Sequence, residues 1–458
     1  MKSFLLLILL LLTMYNLYSY SILESETGNY VANFDARSTA MGSAIASGGN
    51  NLFDALINPA NLGFVQNKLG CQFTALVLKD ADNRSLPMYN SFDAYCDDAT
   101  YASNINYFSD YAFGAHYSMK FSDINSAVSV IYRPFISFDS NYSEEVRNNH
   151  NSDNNEYPPI IAKNYIDSEG AINSLSFLTA FTYKDFVSCG IEVSRLLGDS
   201  DEERSIIWSD QALEKLDILT DTTNTLTREF EAFQVKVGGK VKINQRLGFG
   251  IAFSPKIEFD VTGDKDGVDV ENAVYTYTGF DSLDIPTDSL MYSEFITPTR
   301  LRAGISYEPR NIMKTYFNCD IEYIKWSDVN SLYDDELSYY IGIEHSLKNK
   351  MPIRLGFNYQ TCYSLHQHSG KVFADRVTIP AFTAGTGFTF LENFNFDVSF
   401  EFSTRQYEAL DLFPDSFYDY DELWEFPQYL NFQDRGWENP DTVKETFFGL
   451  HTSISFKW

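Results

Sequence analysis

The chain has 458 residues, a formal net charge of -29 and 16% aromatic residues, including 38 Phe and 30 Tyr. An acidic balance of that size excludes recognition of nucleic-acid phosphates, which needs a basic surface. The five cysteines are scattered without a C-x-x-C pair, which excludes a disulfide framework. They read as small apolar residues, with a Cys71–Cys96 bridge as the alternative.

The chain opens on Lys2, an apolar run over 4–12, and the small residues Ser19-Tyr20-Ser21. This is the layout of a secretory signal peptide, so 1–21 is expected to be removed after Ser21. The run falls short of the ~20 apolar residues that a spanning helix needs. No later segment reads as a membrane helix, and the mean hydropathy is -0.24. A β-barrel escapes such averages, because its apolar face is hidden in alternation.

Residues 22–67 precede the strands. Within them a stretch rich in small residues holds Gly42, Gly48 and Gly49, and a short helical segment ends in Asn58-Pro59-Ala60. Pro59 fixes φ and lacks a donor, which closes the helix before it. The glycines permit close approach to a wall and conformational change. The segment suits a plug.

From about residue 98 the pattern alternates. Phe233, Val235 and Val237 oppose Gln234, Lys236 and Gly238; Phe317, Cys319 and Ile321 oppose Asn318, Asp320 and Glu322. The polar faces also carry Lys240, Arg302, Arg354 and Glu401. A soluble sandwich would turn those ions to water, and a membrane barrel would turn them into a wet lumen. Period alone fits both, but the connections discriminate. Those near 121–126, 184–186, 243–246, 308–314, 347–352 and 390–393 are short, and the intervening ones are mostly long, as in outer-membrane barrels. The long ones lie at about 138–171, 198–230, 261–298 and 406–442. Counting back from Trp458 gives about fourteen strands, with 68–96 adding a pair (sixteen in all) or joining the plug. The expected fold is therefore all-β: a transmembrane antiparallel barrel over 68–458 with an N-terminal lumenal plug.

Segment 208–220 has helical spacing, with Ser209 or Asp210 as N-cap. The 406–442 stretch sets ten acids against Arg435 and holds Phe413, Phe417, Trp424, Phe426 and Trp437. It reads as a self-packed loop or as an exposed landing site for a greasy ligand or a protein partner. The closing strand puts Phe448, Leu450, Ile454, Phe456 and Trp458 on one face, with His451, Ser453 and Lys457 on the other.

No constellation suggests catalysis, and neither enzyme activity nor a cofactor is expected. His366-Gln367-His368 offers two metal ligands where zinc needs three or four. The acidic run at 264–269 lacks the spacing of a calcium loop. No metal site is expected. Lumenal acids are expected to pair with Lys236, Lys240, Arg302 and Arg354 across neighbouring strands.

The 36–65 stretch, ending in Asn58-Pro59-Ala60, resembles the N-terminal signature of the FadL/TodX superfamily of outer-membrane barrels, including the PorV/PorQ group. Further resemblance lies in Pro298-Thr299-Arg300-Leu301-Arg302-Ala303-Gly304, in Asp320 through Trp326-Ser327-Asp328, and in Asp375-Arg376-Val377 followed by Gly385-Thr386-Gly387. Ser43 and Asn61 stand where the family usually has glycine, and Asn61 is expected to take the left-handed conformation in its place.

The resemblance implies a hatch-gated lumen that carries small hydrophobic compounds, fatty-acid-like or aromatic, across the outer membrane of a Gram-negative-type bacterium. Its alternative is a PorV-like scaffold that binds secreted or surface proteins through its outer loops. Either role implies contact with outer-membrane lipid, and with the barrel-assembly machinery through the strand ending at Trp458.

Overall fold

The computed structural model describes residues 28–31, 34–65, 67–89, 92, 94–147, 160–273, 292–310, 314–347, 351–368, 371–390, 393–410, 412–413, 431–432 and 441–458. The proposed signal peptide lies outside them. Among the described residues, fourteen strands close an antiparallel barrel. They are β1 Leu69–Tyr89, β2 Tyr95–Phe121, β3 Ile124–Ser137 with its continuation Ser140–Arg147, β4 Ile160–Tyr183, β5 Val187–Trp208, β6 Thr222–Lys242, and β7 Leu247–Ser254 with its continuation Asp260–Lys265. The rest are β8 Thr299–Tyr307, β9 Thr315–Lys325, β10 Glu336–Ser346, β11 Pro352–His368, β12 Lys371–Phe390, β13 Phe394–Ala409 and β14 Asp441–Lys457.

Strands pair in chain order, and β14 closes on β1 with Val77 opposite Leu450 and Phe73 opposite Ile454. At the seam Trp458 N donates to the Leu69 carbonyl at 2.8 Å. The barrel therefore starts at Leu69: residues 68–96 supply its first strand and no additional pair. Strands also run further than alternation indicated. β4 begins at Ile160, β5 reaches Trp208, and β11 and β12 extend to His368 and from Lys371. There both faces are polar or both are covered, so the period of two fades from the sequence while the backbone ladder continues. The helix expected in 208–220 is Asp210–Lys215, capped by the Ser209 side chain.

The two faces separate cleanly. Phe233, Val235 and Val237 are exposed on the outside, while Gln234, Lys236 and Lys240 are buried within. Outward aromatics pair across strands, as Phe394 with Phe456 at 4.8 Å and Phe402 with Phe448 at 5.0 Å between ring centroids. Such a band in water would be an aggregation surface; in hydrocarbon it is the solvent-matched face. All five cysteines are free thiols, four of them exposed.

The strand β3 departs from this plan. A bulge falls between Pro134 and Ile136, and Phe135, Ile136 and Phe138 are all buried. The chain turns inward there, and the short strand Asn29–Tyr30 pairs with Ile136 and Ser137.

Candidate functional site

Residues 34–65 are almost entirely buried, and they meet inward-facing side chains of strands from around the barrel. The helix Ala36–Ala40 starts at Asp35, whose carboxylate accepts from Ser38 N at 2.9 Å. Gln72 of β1 donates to the same carboxylate at 2.5 Å, and Ala36 N donates to Ser453 Oγ of β14 at 2.9 Å. The helix cap is thus satisfied by the wall as well as by its own chain.

Past the helix, Gly42 has φ +60°. A Cβ on Gly356 of β11 would lie 2.0 Å from Gly42 N, so the two backbones meet only because neither residue has a side chain. Ser43 also has a left-handed φ, 62°. That explains why the resembled family favours glycine there. Here a serine adopts a backbone that costs an L residue about 1–2 kcal/mol.

Asn58-Pro59-Ala60 does two things. The 3-10 turn Phe53–Leu56 ends before it, as Pro59 requires, and Pro59 itself begins a second turn, Pro59–Phe64. The Asn58 side chain accepts from Ala60 N at 3.1 Å and donates to the Ala46 carbonyl at 2.7 Å and to the Gly239 carbonyl of β6 at 3.1 Å. Asn61 is not left-handed. It lies in the second turn and donates to the Ile45 carbonyl at 2.9 Å and the Asp54 carbonyl at 3.2 Å. Its amide ties the segment together, which a glycine could not do.

The lumenal ions divide between wall and segment. Lys236 Nζ donates to the Leu56 carbonyl at 2.6 Å and lies 3.5 Å from Glu192. Lys240 Nζ donates to the Gly49 carbonyl at 2.6 Å and to Asn61 at 2.9 Å. Gly48 packs against Asn318 of β9. Arg302 donates to Asp320 at 2.9 Å and to the Ser43 carbonyl, and Asp320 accepts from Ala46 N at 2.8 Å. Glu322 lies 4.0 Å from Arg302 and accepts from Tyr340 at 2.7 Å. Arg354 bridges Glu344 and Asp397 at 2.6 Å each, and Arg37 joins from the segment at 3.0 Å from Glu344. Glu401 lies 3.4 Å from His451. Thus Arg302 and Arg354 pair across strands, whereas Lys240 spends its charge on the N-terminal segment.

The wall also holds a packed aromatic cluster that alternation did not reveal. Phe135, Phe138, Phe230, Phe259 and Phe295 form a buried cluster, with Phe138 and Phe230 stacked at 5.0 Å and Tyr30 edge-on to Phe135 at 5.2 Å. On β3 the cluster lies beyond the point where that strand's backbone pairing with β2 stops. Backbone pairing of β2 with β3 runs only from Phe121 to Phe113. Beyond it, the Asn104 side chain bonds Ser143 and that of Asn106 bonds Asn141, at 2.8 to 3.1 Å. Side-chain amides stand there in place of a ladder. The proline at 134 next to aromatics was the available signal.

Of the loop aromatics, Phe413 is buried with Tyr142, Ile166 and Trp208. Phe417, Trp424, Phe426 and Trp437 lie outside the described residues.

No protein-family model and no curated protein matches the chain. Solved structures do. A Pseudomonas aeruginosa FadL homologue aligns at TM-score 0.55 and 11% identity over 94% of this chain and 99% of its own. The P. putida toluene transporter TodX aligns at 0.54 and 14%, over 93% and 99%. The Ralstonia pickettii toluene transporter TbuX aligns at 0.53 and 13%, over 93% and 99%. From first strand to last, the chain has the FadL/TodX-like barrel fold.

Proposed function

We propose that this barrel passes small hydrophobic compounds across the outer membrane through a lumen gated by its N-terminal segment. The observation that carries the reading is the pairing of a polar-latched segment with an aromatic cluster beside the unladdered β2–β3 seam. Polar groups of the segment are satisfied by wall residues such as Lys240 and Arg302. Its Phe34, Leu52, Phe53 and Leu62 pack on Leu76, Phe108 and Ile131 of the wall. A shift therefore exchanges polar contacts and needs that apolar face covered again, as an entering hydrophobic solute could do. A greasy solute would enter at the long-loop end, rest among Phe135, Phe138 and Phe230, and leave when residues around Asn58-Pro59-Ala60 shift. The toluene transporters among the similar structures make monoaromatic hydrocarbons the first compounds to try. The outward aromatic band would sit in lipid, and the β14 strand ending at Trp458 would be the handle for barrel assembly.

The experiment is uptake of radiolabelled toluene and oleate by proteoliposomes. Uptake above that of empty liposomes, reduced by Phe230→Asp, supports the reading. Uptake equal to empty liposomes for every hydrophobic solute tried removes it.

A further inference from the structure

We propose that the long-loop rim of β11, β12 and β13 holds a divalent transition-metal ion on His366, Asp375 and Glu408. One ligand atom from each lies within 4.8 Å of the others. His366 Nδ1 is 3.4 Å from an Asp375 carboxylate oxygen. That nitrogen is shielded from solvent and has no hydrogen-bond partner among the described residues. The ring is held by stacking on Phe373 at 5.8 Å and 25°. Nδ1 is thus held beside a carboxylate without a hydrogen bond, and in the tautomer that leaves its lone pair free a cation would supply the missing partner.

The fold assembles the set. Register places His366 opposite Phe373 and Ser364 opposite Asp375, so Asp375 is a diagonal neighbour of His366. The third ligand comes from a strand that is not adjacent. β13 leaves β12 beyond Ser403, and its end swings to β11, where Ser364 Oγ donates to the Glu408 carbonyl at 2.5 Å and Leu410 N donates to the Leu365 carbonyl at 2.9 Å. One imidazole nitrogen with two carboxylate oxygens suits Zn²⁺, Co²⁺, Ni²⁺ or Mn²⁺ better than the hard ions Ca²⁺ and Mg²⁺. Bonds of about 2.0–2.2 Å would draw the ligand atoms closer than they stand, and both carboxylates are exposed and free to rotate inward. The ion would clip three strands together at the base of the 411–440 connection.

The test is isothermal titration of ZnCl₂ into tag-free, chelator-stripped protein in detergent, with CaCl₂ as the hard-ion control and Co²⁺ absorption as a second readout. One Zn²⁺ per chain is expected, with affinity lowered at least about tenfold in His366→Ala, Asp375→Asn and Glu408→Gln. The last two change exposed side chains, so they report on binding even if His366→Ala misassembles. Absence of stoichiometric Zn²⁺, Ca²⁺ bound as tightly as Zn²⁺, or affinity unchanged in Asp375→Asn and Glu408→Gln would overturn the proposal and leave only a polar contact of His366 with Asp375.

Discussion

Lys240 Nζ donates to the Gly49 carbonyl at 2.6 Å, so a cation on the inner face of β6 ends on the backbone of the N-terminal segment. The same ammonium reaches Asn61 at 2.9 Å and lies over the Phe64 ring at 4.6 Å. Three parts of the segment are held by one side chain.

Lys240→Met keeps the length of that side chain and removes its charge. It leaves the Gly49 carbonyl and Asn61 Oδ1 without this donor, a loss of about 1.5–3 kcal/mol for a charged hydrogen bond. Amide exchange over 45–61 should accelerate while the strands stay protected. Unchanged exchange would mean the latch lies elsewhere.

Gly356→Ala tests the close approach of wall and helix end. The new Cβ would meet Gly42 N at 2.0 Å and Met41 C at 2.4 Å, both backbone atoms that cannot swing aside. The segment should be pushed off the wall and the Arg37 peptide become a trypsin site. Gly239→Ala, whose Cβ would find its nearest neighbour at 3.6 Å, should stay resistant.

Arg84 is buried on the inner face of β1, 3.2 Å from Asp441 and 3.6 Å from Asp82. Arg84→Leu would leave two buried carboxylates without that base. Breaking such a pair costs about 3–5 kcal/mol, read as a lower midpoint of urea unfolding in lipid. A midpoint shift below about 1 kcal/mol equivalent would show that solvent already reaches those acids.

Asp328 predicts a pH response at the long-loop end. Burial would raise its carboxyl, but hydrogen bonds from Lys325 at 2.6 Å and Thr299 N at 3.2 Å outweigh it and hold the group below the usual aspartate range. A lowered carboxyl contributes stability above the unfolded value of about 3.9, and that contribution is lost as pH falls through the folded one. The turn at 326–330 should therefore stay ordered at pH 5 and loosen only below about 4, with no such step in Asp328→Asn. A carboxyl ¹³C titration of Asp328 with its midpoint above about 4 would contradict this.

Much of the barrel was legible because alternation is a local property. Phe448 to Trp458, or Phe233 to Val237, announce their two faces residue by residue, and the short turns fix the pairing. What stayed hidden depends on distant partners. The inward turn at Phe135 and Phe138 follows a bulge, which breaks the period on which the reading relied. Asn61 looked like a stand-in for glycine, yet its amide is used as a tie. Phe108 and Tyr142 are buried by partners distant in sequence, Leu52 and Phe53 in the one cluster and Trp208 and Phe413 in the other. Glu408 meets His366 because β13 leaves its neighbour, and no spacing in the sequence encodes that.

The most direct test of gated passage uses Ser47 and Ser306, whose hydroxyls stand 2.9 Å apart between segment and wall. Ser47→Cys with Ser306→Cys, in a chain whose native cysteines are changed to alanine, should form a disulfide after a small shift. Radiolabelled toluene uptake into proteoliposomes is then measured before and after reduction. The account predicts uptake near the empty-liposome rate when oxidised and recovery on reduction. Equal uptake in both states would contradict it, because the compounds would then cross without moving the segment.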